Sequence, residues 1–421
     1  MSTVVTNASE LVAEGRLAFA ARNPESARLH DEASRFLPGG HTRTILAHEP
    51  FPLTFVRGEG AVLTDADGHD YIDLLGDYTA GLLGHGERRV LDAVHDAMTT
   101  LASVGGVHPY ESRLARLMCE RFGLERVRFT NSGTEANLMA ITAARSFTGR
   151  PKLLVFRGAY HGGVFAFAQG VASWDAPYEW VVAPYNDLAG TASLIEEHAA
   201  ELAAVVVEPM LGSGGCIPAD PAFLAGTFDA ARRAGAVCIA DEVMTSRHGR
   251  SGFAALLGVK ADVTTFGKYI GGGFSFGAFG GTAELLDQFD STRPDAIPHA
   301  GTFNNNVATM AAGCVVLGEL FTADAAEAHT ARGEQFRARV GEVIQRHGLP
   351  LTVSGYGSML ALHARPDAAL QELVFLGLYE RGVYIAPRGM INLSLPLTDG
   401  QLDTALLALD ETLGDLEARL T

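Results

Sequence analysis

Lysine is almost missing from this chain. Of its 32 basic residues only Lys152, Lys260 and Lys268 are lysines and 29 are arginines, so lysine does not carry the surface charge and each of the three needs its own explanation. Positive charge is scarce too: 32 Lys+Arg against 49 Asp+Glu give a formal net charge of −17 over 421 residues. That balance, spread without a long acidic run, argues against a nucleic-acid or anionic-membrane partner, so any anion-binding site has to be local. Cysteine is sparse, at Cys119, Cys216, Cys238 and Cys314, with no C-x-x-C pair. Neither a disulfide framework nor a zinc site is expected, and a reducing cytoplasm is the simplest setting. The start lacks a basic segment ahead of an apolar core, and no stretch approaches ~18 uninterrupted apolar residues, so we expect a soluble cytoplasmic protein. H-E-x-x-H and G-x-x-x-x-G-K-[ST] are absent and G-x-G-x-x-G is never completed, which disfavours a metal, a nucleoside triphosphate or a nicotinamide cofactor.

What is present begins with hydrophobic patterning. Residues 8–37 have helical spacing and stop at "LPGG", and "FPLTFVRGEGAVLTDADGHDYIDLL" reads as a small antiparallel meander. From about residue 112 continuous apolar runs take over: "KLLVF", "WVVAPY", "AAVVVEPM", "AVCIADEVM" and "DVTTFGK". Such runs suit strands buried on both faces of a mostly parallel sheet, with "TASLIEEHAAEL" and "PAFLAGTFDAARRAGA" as crossover helices. A long helix is expected from "ATMAAGCVVLGELF", then the strand-like pieces "LTVSGYGSMLALHA" and "GVYIAPRGMINLSL". The fold class is therefore α/β: a wound sheet in a large domain, residues 76–310, plus a smaller α+β domain built from residues 1–75 and 311–421.

Ligands of wound sheets collect at the carboxyl ends of the strands, and several of those ends are polar here. Asp241 closes an apolar run, where a carboxylate is costly unless paired with a cation or a strong donor; a helix cap or an ion pair with Arg247 would satisfy it equally well. Glu208 invites the same remark. In "RFTNSGTEANLMA" a strand end leads through Ser132, Gly133 and Thr134 into an amphipathic helix, an anion site built of free N–H groups and hydroxyls, or else an ordinary N-cap. "FRGAYHGG" offers the ring of Tyr160 beside His161, a pair that elsewhere is usually packing. Lys268 ends a buried run and is followed by glycines; desolvated there its amine becomes a nucleophile toward an aldehyde, whereas at a domain edge it would merely snorkel. An imine-forming lysine, a carboxylate for a pyridine nitrogen, a phosphate cradle and a stacking ring together point to pyridoxal 5′-phosphate. "GFSFG" also fits G-x-S-x-G, but a serine hydrolase using Ser275 would need a strand before it and a helix after it.

In order, "NSGTEANLMA", "YHGG", "VVVEPM", "ADEVMTSR" and "TTFGKYIGGG" resemble the blocks of class III (ω-type) pyridoxal-phosphate aminotransferases of fold type I, over about residues 34–410. "PGGHTRTILAHEPFP", "HAGTFNNNVATMAAG" and "PRGMINLSLPLTD" are similar to the aromatic β-amino-acid (β-phenylalanine) branch, which neighbours the glutamate-1-semialdehyde aminomutases. The resemblance implies that Lys268 carries the cofactor, that Asp241 pairs with its ring nitrogen, and that Ser132, Gly133 and Thr134 hold its phosphate, with Thr302 supplied by a neighbouring subunit. Tyr160 and Val243 would flank the ring, and Met244 stands where a glutamine often meets the phenolic oxygen. Arg43 and Arg388 match carboxylate-binding positions. The implied enzyme is a homodimer with shared active sites. It would move an amino group from a β-amino acid to a 2-oxo acid such as 2-oxoglutarate or pyruvate by a ping-pong route, with an intramolecular aminomutase as the alternative. Phe51, Tyr78 and Phe303 are candidate aryl-pocket residues. The chain departs from the wider family at Met210-Leu211-Gly212-Ser213, where Ile-Gln-Gly-Glu is frequent, so an acidic mask for an arginine is not expected there.

Overall fold

The apolar runs become neighbouring strands of one seven-stranded sheet in a computed structural model that describes residues 2–364 and 366–420. Its strands are β1 (Arg126–Thr130), β2 (Lys152–Phe156), β3 (Glu179–Ala183), β4 (Leu202–Val207), β5 (Val237–Asp241), β6 (Val263–Gly267) and β7 (Gly277–Gly281). They lie in the order β1-β7-β6-β5-β4-β2-β3, all parallel except β7, which runs antiparallel to both β6 and β1. Every residue of β4 and β5 is buried, as expected of strands covered on both faces. The helix Gly133–Thr148 turns Ala136, Ala140, Ile141, Ala143 and Ala144 into that core, and small side chains let it lie close to the strands. Because β1, β2, β4, β5 and β6 run the same way, whatever follows their carboxyl ends gathers along one edge.

β7 was not legible as a strand. "GAFGG" reads as a glycine-rich loop, yet all five residues are buried and paired on both sides. The glycines are there for proximity: a Cβ on Gly280 would lie 2.7 Å from the Arg126 carbonyl oxygen, and one on Gly281 would overlap that of Asp262.

Contacts divide the chain into Arg88–Ala331 and a second unit formed by residues up to 87 with those from 332 onward. The boundaries thus fall at 87/88 and 331/332 rather than at 75/76 and 310/311, because the segment 76–87 stays with the smaller unit through its backbone bonds to Gly60 and Leu395. In that smaller unit the strands 55–59, 62–65 and 70–73 form the expected meander, extended by Val383–Tyr384 running parallel to 70–73. A second antiparallel sheet joins Thr352–Tyr356, Met359–His363 and Met390–Asn392. Phe51 belongs to this unit's core, against Phe19, so it is packing rather than pocket lining.

Two helix expectations need correction. The spacing over 8–37 resolves into Ser2–Arg22 and Pro24–Ala33, broken at Asn23, with Pro24 opening the second helix where its missing N–H costs nothing. The helix from residue 307 is also interrupted: Val307–Val315 passes into a wider turn, Val316–Leu320, and Ala323–Arg346 leaves it at 73°. Phe321 abandons helical geometry (φ −121°, ψ 60°), and Thr322 starts the next helix, its hydroxyl accepting from Ala325 N at 3.3 Å.

Candidate active site

The loop after β1 is built to point N–H groups outward. Ser132, in an extended conformation (φ −155°, ψ 161°), caps the helix Gly133–Thr148, and its Oγ accepts from Glu135 N at 3.2 Å. Glu135 reaches back to accept from Asn131 N at 2.8 Å, which fixes the loop. The capping alternative therefore holds for Ser132, but it uses only an oxygen lone pair and leaves the hydroxyl proton to donate. The amides of Gly133 and Thr134, in the first turn, have no acceptor within the helix.

Glycines bring the other blocks onto this loop. A Cβ on Gly162, in the Tyr160 segment, would overlap Thr134 Oγ1, and one on Gly277 would overlap Ser132 O. Gly277→Ala should therefore displace the loop, overpacking of this kind costing about 1–3 kcal/mol. We expect a folded variant whose affinity for the added cofactor, measured by titration of its absorbance, falls about tenfold or more. Val243 joins three blocks at once, because a Cβ on Gly133 would sit 2.8 Å from its Cγ1 and one on Gly267 would sit 3.0 Å from it. Residues 132–134, 243 and 267–268 are thus side by side. Lys268 follows Gly267 at the start of a short turn, Lys268–Gly271, with φ +53°, a left-handed conformation that is strained for a side chain of this kind. Met244 packs on Gly212, and Tyr160 is 46% exposed although its neighbours are buried.

Asp241 is the centre of a buried hydrogen-bond web. Its Oδ2 accepts from Asn137 Nδ2 at 2.8 Å and meets His161 Nδ1 at 2.7 Å, while Oδ1 accepts from Val243 N at 3.0 Å. Thr265 Oγ1 donates to Asn137 Oδ1 at 2.7 Å and so fixes which end of the amide faces Asp241. Arg247 instead donates to His329, 3.0 Å away, so the ion-pair alternative for Asp241 does not hold. Burial disfavours charge on His161, but the hydrogen bond and negative charge of Asp241 outweigh it and raise its pKa. Asn137, His161 and Thr265 were not read as a unit from sequence; the clue was a polar residue on the otherwise apolar buried face of the helix.

Glu208 stands behind Tyr160, accepting from Tyr160 N at 2.8 Å and Gly212 N at 2.9 Å. Burial pushes its carboxyl up to about 7, against the opposing pull of His161 and these two N–H groups. A carboxyl whose pKa is raised on folding favours the fold while protonated, so its contribution is full below about pH 4.5 and is lost as pH rises toward 7. His161, also raised, adds a loss in the same direction above about 6.5. Stability of the protein should therefore decline through this window by up to about 1.4 kcal/mol per pH unit per proton, and Glu208→Gln should flatten the slope in denaturant titrations at pH 5, 6 and 7.

In the smaller unit Arg43 pairs with Asp77 at 2.6 Å and lies 5.3 Å from the centre of the Tyr78 ring. Burial works against the charge of Arg43, and Asp77 more than restores it. Asp77, Tyr78 and Thr79 all have positive φ (41°, 52° and 80°), held by Asp73, whose Oδ1 accepts from Leu75 N and Gly76 N at 2.9 Å each. Both partners of the Arg43–Asp77 pair are about half exposed (46% and 55%), so the pair contributes only about 0.2–1 kcal/mol and can yield to another carboxylate. Arg388 is exposed, and burial raises the pKa of the largely buried Tyr78 phenol against the opposing charges of Arg388 and Arg43.

Thr302 and Phe303 are exposed in a segment anchored by three asparagines. Asn304 Oδ1 accepts from Asn131 Nδ2 at 3.0 Å, Asn305 Nδ2 donates to Glu111 at 3.0 Å, and Asn306 caps the helix Val307–Val315. Ser275 is exposed and leads into β7, a strand, so it has no nucleophile elbow.

These residues fit pyridoxal 5′-phosphate. The open amides after Ser132 suit its phosphate, the web around Asp241 holds a carboxylate in a buried place, the exposed Tyr160 offers a ring face, and an amine follows at Lys268. The family profile described as aminotransferase class-III matches residues 45–413. The beta-phenylalanine transaminase of Variovorax paradoxus is 46% identical over 96% of both chains. A beta-phenylalanine aminotransferase structure from the same organism superposes with a TM-score of 0.96 at 45% identity, covering 98% of both chains. A glutamate-1-semialdehyde 2,1-aminomutase of Desulforudis audaxviator is 35% identical over 92% of this chain and 96% of that protein. The chain therefore belongs to the class-III aminotransferases, enzymes of the fold-type-I architecture that work with pyridoxal 5′-phosphate.

Proposed function

We propose that this aminotransferase takes the amino group of an aromatic β-amino acid of the β-phenylalanine type and passes it to a 2-oxo acid, 2-oxoglutarate or pyruvate, in two successive half-reactions. The observation that carries this reading is the 46% identity to a beta-phenylalanine transaminase along nearly the whole chain, together with Arg43 set on the Tyr78 ring beside a weak carboxylate partner. In this reading Asp77 holds the guanidinium until a substrate carboxylate replaces it, and the planar fork binds that carboxylate through two N–H groups. Arg388 serves the second carboxylate of an oxo-diacid acceptor.

When bound, the cofactor supplies an aldehyde and an electron-withdrawing ring. Ser132, Gly133 and Thr134 hold its phosphate, with Thr302 added by a second subunit. Asp241, kept in place by Asn137, His161 and the Val243 amide, sets its negative charge toward the ring nitrogen. Tyr160 and Val243 confine the ring, and Met244 presents an apolar edge where other members of the family place an amide. Lys268 Nζ takes the proton from the amine-bearing carbon of the donor and returns one to the acceptor.

The working form is a homodimer. In support, Val107 and Phe303 are 89% and 60% exposed on segments tied together by the His108 Nε2–Asn305 O contact at 2.6 Å, an apolar surface that invites cover. Sedimentation should give twice the 44.5 kDa chain mass; a monomer at micromolar concentration contradicts this part.

The test of function is a panel of α-, β- and ω-amines against 2-oxoglutarate and pyruvate. β-Phenylalanine should be consumed with glutamate or alanine as co-product. Conversion of a 1,2-amino aldehyde without any oxo-acid acceptor, and none of β-phenylalanine, would instead identify an aminomutase.

A further inference from the structure

The break between the first two helices leaves a polar group unanswered inside the smaller unit. Asn23, at that break, is only 1% exposed. Its Nδ2 donates to Phe19 O at 2.8 Å, which fixes the orientation of the amide, and its Oδ1 is buried without a hydrogen-bond partner among the described residues. Asn23 borders a cavity of about 170 Å³ between the helices Ser2–Arg22, Ala368–Glu380 and Asp399–Leu420.

Much of the remaining wall is apolar or aromatic. Leu373, Leu376 and Leu416, all buried, line it together with the rings of Phe19, Tyr71 and Tyr379. The Tyr379 ring lies 6.0 Å from that of Phe19 and 5.9 Å from that of Tyr71, centre to centre. Both phenols have partners of their own: Tyr71 donates to Asp65 Oδ2 at 3.1 Å and Tyr379 to Ile385 O at 3.4 Å. Thr412 Oγ1 donates to Ala408 O at 2.7 Å. The charged lining residues are engaged as well, Arg381 with Asp415 at 2.6 Å, Arg22 with Glu380 O at 2.7 Å and Arg419 with Glu14. Among the described residues, Asn23 Oδ1 is thus the one buried side-chain polar atom of the lining that has no partner.

A buried acceptor without a donor costs free energy, so this one requires an N–H or O–H group. A water molecule would find a single buried partner here, where buried waters usually have about three. The size suits something larger, since an apolar cavity of about 150 Å³ takes up benzene. Aromatic walls favour an aromatic guest through edge-to-face and offset contacts.

We propose that this cavity is a binding site for a small neutral aromatic molecule carrying one hydroxyl or amino donor, of the phenol or aniline class, with the donor on Asn23 Oδ1. Such a guest ties the first helix to the two C-terminal ones, so its binding stabilises the fold. The site uses none of the residues assigned to transamination.

Phenol, and fluorobenzene as a ring of similar size without the donor, are the probes for the holoenzyme. Phenol should bind with a Kd of about 1 mM or tighter and raise the melting temperature by about 2 °C or more when saturating, whereas fluorobenzene should bind about tenfold more weakly. Equal affinity for the two probes, or no shift with phenol, overturns the proposal. The shift should vanish in Asn23→Leu, which removes the acceptor, and in Leu376→Phe, which fills the cavity and serves if the first variant does not fold; a shift that persists in the folded variants places phenol elsewhere and overturns it too. In holoenzyme crystals soaked with 4-bromophenol, the bromine anomalous peak should lie in the cavity with the hydroxyl within hydrogen-bonding distance of Asn23 Oδ1. An ordered water on Asn23 with no bromine in the cavity contradicts the assignment.

Discussion

Lys268→Ala is expected to lower transamination by about 10⁴-fold or more while leaving the melting temperature of the apoprotein nearly unchanged. In the proposed mechanism the loss is large because one amine would both anchor the aldehyde and move the proton, and neither of the other two lysines is placed to take over. Lys152 is held protonated by Glu201, 2.6 Å away, and a paired ammonium is not a nucleophile. Lys260 is exposed on the surface. Lys268→Arg should be as inactive as the alanine variant, since a guanidinium does not give up its proton at neutral pH. The fold should tolerate both changes: Lys268 sits in a left-handed turn, and removing its side chain opens no cavity in the sheet core. Steady-state rates with thermal melts on the same samples separate the two effects; activity within tenfold of the native enzyme would contradict the assignment.

Asp241→Asn should lower kcat by about 10²–10⁴-fold. The carboxylate oxygens face three donors, Asn137 Nδ2, His161 Nδ1 and Val243 N, and an amide can offer only one oxygen to them. Its NH₂ group must then oppose a donor, and the negative charge that the proposed role sets toward the cofactor's ring nitrogen would be lost. A second readout follows from the same contacts. Burial alone lowers the pKa of His161, and Asp241 is what raises it, so the imidazole titration followed by NMR should move to lower pH in the variant. A rate loss with an unshifted His161 would mean that the carboxylate acts elsewhere.

How far these features could be read in the sequence depended on whether they were local. The parallel strands announced themselves because burial on both faces leaves uninterrupted apolar runs such as Leu202–Val207. The start of the helix Gly133–Thr148 was legible because a small polar loop with Ser132 as a cap stands just ahead of its amphipathic run. β7 was hidden, since its glycines answer to carbonyls of Arg126 and Asp262 that are remote in sequence. The web around Asp241 was hidden for the same reason: Asn137, His161 and Thr265 are each unremarkable in their own segments and acquire a role only when the sheet brings three strand ends together. The break in the helix after residue 315 was missed because apolar residues continue through it, and only Thr322, as a cap, marks the restart.

The most direct measurement exploits the scarcity of lysine. Holoenzyme reduced with borohydride, digested and mapped by mass spectrometry should carry a pyridoxyl group on Lys268 and none on Lys152 or Lys260. Lys268 recovered unmodified from fully loaded enzyme, with the label on another amine or on none, would contradict the account at its root.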